Sequence, residues 1–315
     1  MEILTTMDVF LQSGFVFSLI AMGYYISYTI LDFPDLTVEG TFLTGAVVYG
    51  IMVENGINAW LGLLAAFLSG CFFGAITGIL HVKCRIRPLL CGILVSTALI
   101  SINLVLVGAG LMGSWMGDSM SSINFGREAL TLGKVFPFNL IPAKIEGIGV
   151  RNLVIFLVIV VFFKLMIDIF LKTKRGMLLF ASGDNDRFVT TLSLDAGNNK
   201  ILGLAIGNGY AAVAGVLYTL ISGNVNQGMG IGTIVIGLAS LIIGISVFNR
   251  VTFLKPTSKV ILGAVIYQMC LTIAQKLGVP SAYNKLIMAI IFTIALIVGQ
   301  RMKRQKHGGK GKSGL

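Results

Sequence analysis

The 315-residue chain is 56% hydrophobic and only 12% charged, with a mean hydropathy of +0.90, where a soluble domain has roughly a quarter of its residues charged. This composition excludes a soluble enzyme and describes a polytopic membrane protein, a single transmembrane domain over 1–315. The net charge of +11 does not point to nucleic acid, because the basic residues lie at span ends and in a tail, where Lys and Arg mark the cytoplasmic side.

Spans of about 20 residues with their connections allow on the order of eight to ten crossings, so the expected fold is an all-α integral membrane bundle. Cys71, Cys84, Cys91 and Cys270 show no CxxC pair and no ligand spacing. They read as helix thiols, and neither a metal nor a cofactor is expected.

The N-terminal segment lacks the basic start of a cleavable signal, and Asp8 to about Leu31 is long enough to cross once, with Tyr24, Tyr25 and Tyr28 near one end. Asp32, Pro34, Asp35 and Glu39 then interrupt the apolar run. Proline disfavours helix at Phe33, so the backbone should break and restart with Asp35 or Thr37 as cap. Two readings stand: a short exposed loop, or a discontinuous or re-entrant helix whose free N–H groups face a substrate path and suit a substrate carboxylate. Glu39 favours the second, because an ionisable group in an apolar zone faces a cavity or a partner.

Leu61–Val82 carries Gly70, Gly74 and Gly78 on one face, for close helix packing. The basic run Lys83 to Arg87 marks a cytoplasmic turn, and His81 reads as a polar helix end rather than a ligand. In Leu89–Met112, Ser96, Thr97 and Ser101 can bond their own backbone. Asn103 needs another helix or a hydrated path. Residues 113–150 are polar with few basic residues and read as an external loop. In the span from Arg151 to about Leu171, Lys164 and Asp168 are spaced to pair.

Residues 172–200 form a polar island. Its basic start should be cytoplasmic, Ser182 to Asp186 supply turn and cap residues, and a short helix is expected from Asp186 to about Asp195, ending over Ala196–Asn199. Phe188 and Leu192 share a side of that helix and would enter a partner's cleft. The plainer reading is a solvated connector.

Lys200–Ser222 follows, with Gly203 and Gly207 for packing and Asn208 and Tyr210 as polar interruptions. Gly223–Thr233 is glycine-rich but lacks the Lys-Ser/Thr and strand context of a nucleotide loop, so a tight external turn is expected. The helix from Ile231 has a small-residue face at Gly237, Ala239, Ser240 and Gly244. Arg250, Lys255 and Lys259 mark another cytoplasmic turn before spans at about Val260–Lys276 and Tyr283–Gly299. The basic tail 301–315 should meet anionic lipid headgroups. If every apolar run spans, about nine crossings put Met1 outside; a re-entrant segment after Pro34 puts it inside.

Gly183-Asp184-Asn185, a short helix and the Gly-rich span Ile201–Gly215 resemble the coupling region of bacterial ATP-binding-cassette importer permeases of the branched-chain amino acid/ribose superfamily. Asp32–Gly40 and Gly228–Gly244 resemble the branch associated with tryptophan/tyrosine uptake, and the similarity extends from about Gly14 to Gly299. Ser193 stands where many relatives have glycine, and Ile245 where this branch often has an acidic residue. The resemblance implies a bacterial plasma-membrane subunit that pairs with a second permease copy, a cytosolic ATPase bound at residues 172–200 and an external solute-binding lipoprotein.

With no Walker motif, the chain is expected to hydrolyse nothing itself. The coupling contacts would be Asp184, Asn185, Asp186, Arg187, Phe188 and Leu192. The pathway candidates, chosen as polar residues within apolar runs, are Thr37, Glu39, Thr41, Ser96, Thr97, Asn103 and Asn208. The solute would be an amino acid, aromatic or branched-chain. The alternative is a self-sufficient secondary transporter or channel, for which Glu39 and Asp168 are the available acids.

Overall fold

A computed structural model describes residues 2–112, 122–123, 150–184, 196–249, 251–277, 283 and 286–297. Helix α1, Glu2–Tyr24, continues as a π-helical segment, Tyr25–Ile30. The helix loosens before the proline, with Leu31 N–H donating to the Ile26 carbonyl at 3.0 Å and Phe33 N–H to that of Ser27 at 2.8 Å. Asp32 adopts a positive φ of 51°, and the chain restarts as α2, Thr37–Glu54. The break is thus real, and it alternates: Phe33 and Asp35 are buried, whereas Asp32 and Pro34 are exposed.

Then come α3, Ala59–Val82, and α4, Pro88–Met112. Asn58 caps α3, its Oδ1 accepting from Trp60 N–H at 3.0 Å. After strand β1, Ser122–Ile123, come α5, Val150–Lys172, α6, Lys174–Asp184, and α7, Ala196–Ser222. Strand β2, Val225–Asn226, and a 3-10 turn, Gln227–Gly230, precede α8, Thr233–Val247. Pro256 opens α9, Pro256–Lys276, and a shorter apolar helix, α10, covers Leu286–Ile297. Among the described residues, seven helices are long and apolar enough to cross a membrane. The central α2, buried along most of its length, is not one of the seven.

Glycine sets the packing. Gly70 lies against the Asn208 carbonyl, Gly74 against Leu204 and Asn208, and Gly78 against Ile201, so the three-glycine face of α3 seats α7 as its spacing predicts. Gly45 meets Ala212 and Gly215 meets the Phe42 carbonyl, bringing α2 and α7 into backbone contact. Gly23 and Gly207 join α1 to α7, and Gly263 rests on the Ser240 carbonyl, closing the α8–α9 pair. Tyr210 pins α5 to α7: its hydroxyl donates to the Phe163 carbonyl at 2.7 Å, and the two rings meet edge-on at 5.2 Å.

Two expectations need correction. The polar island contains a helix, α6, at Lys174–Asp184, which runs through the basic stop and into Ser182–Asp184, where turn and cap residues were expected. It is held by Leu179, buried against Gly203, and by Gly183 against the Ile30 carbonyl. Ala196–Asn199 do not end a short helix but begin α7, four residues before the expected span. The glycine-rich segment also does more than turn: Val225 is buried, β2 pairs antiparallel with β1, and Gly232 takes a left-handed φ of 95° to launch α8.

Candidate functional site

The helix break holds a buried polar network. Asp35, 1% exposed, accepts from Thr37 N–H at 2.8 Å through Oδ1 and from the Asn208 amide at 2.6 Å through Oδ2. Its backbone carbonyl takes the Tyr24 hydroxyl at 2.9 Å. Thr41 donates to Asn208 Oδ1 at 2.9 Å, and the Thr37 and Thr77 hydroxyls pair at 2.8 Å. Asn208 Nδ2 also reaches the Leu204 carbonyl at 3.0 Å, one turn back on α7. The network ties α1, α2, α3 and α7 together where α2 begins. A buried carboxylate is tolerated in such surroundings only when donors surround it.

Thr37, Thr41 and Asn208, chosen from sequence as separate candidates, therefore form one cluster. Asp35, its acceptor, was read only as a cap. The signal was present in the Asp-x-Thr at a helix restart beside a proline. The first N–H of α2, expected to await a substrate carboxylate, is already taken by Asp35.

A second helix start faces the same turn of α2. Half-buried Glu39 accepts from Gly232 N–H at 2.8 Å, across the N-cap of α8, where the helix dipole favours a negative charge. Gly230 lies against the Glu39 carbonyl with no room for a side chain. Segment 227–232 thus returns to the level of the α2 break. On α4, Ser96 and Leu99 line Gly40 of α2. Asn103, 2% exposed, directs its amide nitrogen at the Gly40 carbonyl at a long 3.5 Å, while its Oδ1 has no partner. Thr97 does not join them: it is exposed, and its hydroxyl bonds the Ile93 carbonyl of its own helix.

A separate charged knot ties the basic ends of α5 and α9. Asp168 accepts from Lys164 and Lys255, each at 3.0 Å, and from the Thr257 hydroxyl at 2.7 Å. Asp184 ends α6, and the other coupling candidates, Asn185, Asp186, Arg187, Phe188 and Leu192, lie outside the described residues. Among the described residues, no group of three or more His, Cys, Asp or Glu could hold a metal ion.

Residues 6–296 match the family model described as branched-chain amino acid transport system / permease component. A tyrosine transport system permease protein of Clostridioides difficile is 39% identical over 289 residues, which covers 92% of this chain and 90% of that protein. An uncharacterized protein of Rickettsia prowazekii is 30% identical, covering 91% of this chain and 95% of its own length. An autoinducer 2 import system permease protein of an Enterobacter species is 24% identical, covering 95% and 80%. No solved structure matches.

Proposed function

Because the chain belongs to the branched-chain amino acid transport system permease family, we propose that it is the multi-pass inner-membrane subunit of an importer that carries an amino acid, aromatic or branched-chain, on ATP hydrolysed by a partner. The observation that carries the amino-acid reading is the 39% identity to a tyrosine permease over 92% of the chain. The more distant autoinducer 2 relative shows that the wider family also serves other solutes.

The pathway runs past the α2 break and the start of α8, where Thr37, Glu39, Thr41, Ser96, Asn103 and Asn208 supply polar groups among apolar helices. Two copies of the chain form the pathway, and an external lipoprotein delivers the solute. A cytosolic ATPase docks on residues 172–200, at Asp184–Phe188 and Leu192. Helix α6 supports this arrangement: Gly183 touches Ile30 at the break, so force applied beyond Asp184 has a short rigid route to the polar network. Asp168 is neutralised by two lysines, which disfavours the ion-coupled alternative.

The test is copurification with the ATPase and uptake by the assembled complex. Phe188→Asp should abolish ATPase association while membrane insertion and pairing of the permease persist. An intact, fully coupled complex after that change would place the contact elsewhere. A companion binding protein that took sugars or nucleosides and no amino acid would refute the substrate class.

A further inference from the structure

Beside the first turn of α2, Glu39 of α2 and Asn103 of α4 offer acceptor oxygens beyond those that the described hydrogen bonds engage. Glu39 is an ionisable group among apolar helices, and the described hydrogen bond to its carboxylate engages one oxygen, Oε1, through Gly232 N–H. Neither α2, nor α4, nor the segment from Val225 through α8 contains a lysine or arginine, so none of these three elements supplies a cation. One residue along, Asn103 of α4 is 2% exposed and its amide oxygen is unpartnered. The orientation of that amide follows from its surroundings: turning it over would set its oxygen against the Gly40 carbonyl that its nitrogen now faces. A buried acceptor left unmatched is costly, and so is a carboxylate without a counter-charge in an apolar setting. Both costs are relieved by the same ligand group, a cation with several N–H donors.

We propose that Glu39 and Asn103 form an acceptor site for the ammonium group of the transported solute, so that the permease itself selects for amine-bearing solutes. The inference rests on the reading of the chain as a solute permease and reverses the polarity expected at the helix break. Asp35 already holds the Thr37 N–H, one of the donors a substrate carboxylate would use, while the Asn103 amide oxygen still lacks a donor. Gly232 N–H holds one oxygen of Glu39 and so orients the carboxylate, while the other oxygen and Asn103 Oδ1 receive the ammonium protons. Neutral sugars offer hydroxyl donors but no charge, and they would be held more weakly.

The test uses the full-length permease in nanodiscs, titrated calorimetrically with tyramine, L-tyrosine and 3-(4-hydroxyphenyl)propionate, which share a ring but differ in ammonium and carboxylate. Tyramine and tyrosine should bind, and the des-amino acid should bind about tenfold more weakly or not at all. Glu39→Gln keeps an acceptor for Gly232 N–H, and hence the start of α8, while removing the charge. It should weaken tyramine roughly tenfold or more without moving the melting temperature. Asn103→Leu should weaken tyramine in the same direction, and Asn103→Asp should not.

No tyramine binding to the wild type, equal binding of the des-amino acid, or unchanged affinity in Glu39→Gln would each overturn the proposal. Its failure is separable from that of the importer reading. Tyrosine uptake by the complex that survives Glu39→Gln unchanged removes this site alone. Glu39-dependent tyramine binding in a complex that imports no amino acid removes the amino-acid reading alone.

Discussion

Asn208 is fully buried and uses both ends of its amide, donating to Asp35 and accepting from Thr41. Replacing it with leucine keeps similar bulk but strands a carboxylate oxygen and a hydroxyl in the bundle centre. The expected cost is about 3 kcal/mol, the penalty for breaking a buried charged partnership. Thr97→Val should stay within about 0.5 kcal/mol and leave uptake unchanged, because Thr97 is exposed and bonds only its own helix. Thermal unfolding of the purified variants in detergent measures both, and equal effects at the two positions would contradict the assignment of Asn208 to the network. Thr41 and Asn208 were visible in the sequence because each interrupts an apolar run. Their connection through Asp35 was not, since the Asp35–Asn208 bond spans 173 positions and local spacing carries no information at that range. Asn103 was legible as a residue needing a partner, but only the structure shows that its oxygen still lacks one.

Among the helices, those visible in the sequence are those whose packing signal is periodic and local. The glycines of α3 recur every four residues and do seat α7, so their face predicted a contact without naming its partner. Gly74→Val should drive a side chain into the Leu204 carbonyl and Asn208, costing more than about 3 kcal/mol or preventing assembly. Gly56→Ala is the contrast: its φ of 75° strains an alanine, yet nothing lies within 4 Å, so the cost is about 1 kcal/mol. Monodisperse yield and melting temperature of the two variants separate steric exclusion from backbone strain, and a Gly74→Val protein as stable as Gly56→Ala would refute the packing account. Helix α6 escaped notice for a physical reason. Its buried positions, Gly176, Leu179 and Ser182, do recur at helical spacing, but the basic Lys174 and Arg175 at its start and the turn-type Ser182-Gly183-Asp184 at its end marked the stretch as a loop. The start of α8 was read to within two residues, at Ile231, but the return of segment 227–232 to α2 was not, because it depends on Glu39, almost two hundred positions earlier.

For the molecule as a whole, the distribution of charge predicts an orientation that the fold makes testable. Lys83, Arg85 and Arg87 lie at one end of α3 and α4. If that end is cytoplasmic, alternation through α4, α5, α7, α8 and α9 places the α6 segment and the Asp168–Lys255 knot on the same side. The β1–β2 pairing of Ser122–Ile123 with Val225–Asn226 then falls on the opposite side, where Arg151 and Lys276 are the basic residues among the helix ends. The native cysteines probe this directly. Cys84 is exposed in the basic turn, whereas Cys270 is exposed on the flank of α9 within a candidate span, where the membrane is expected to shield it from water. With the other cysteines replaced by serine or alanine, a membrane-impermeant maleimide should label Cys84 in inverted vesicles and spare it in intact spheroplasts. Cys270 should resist labelling from either side until detergent is added. Labelling of Cys84 from outside intact cells would invert the molecule, putting residues 172–200 beyond reach of a cytosolic ATPase. A coupling role for Phe188 and Leu192 could not survive that result, although the ammonium site at Glu39 and Asn103, set within the bundle, does not depend on which end faces the cytosol.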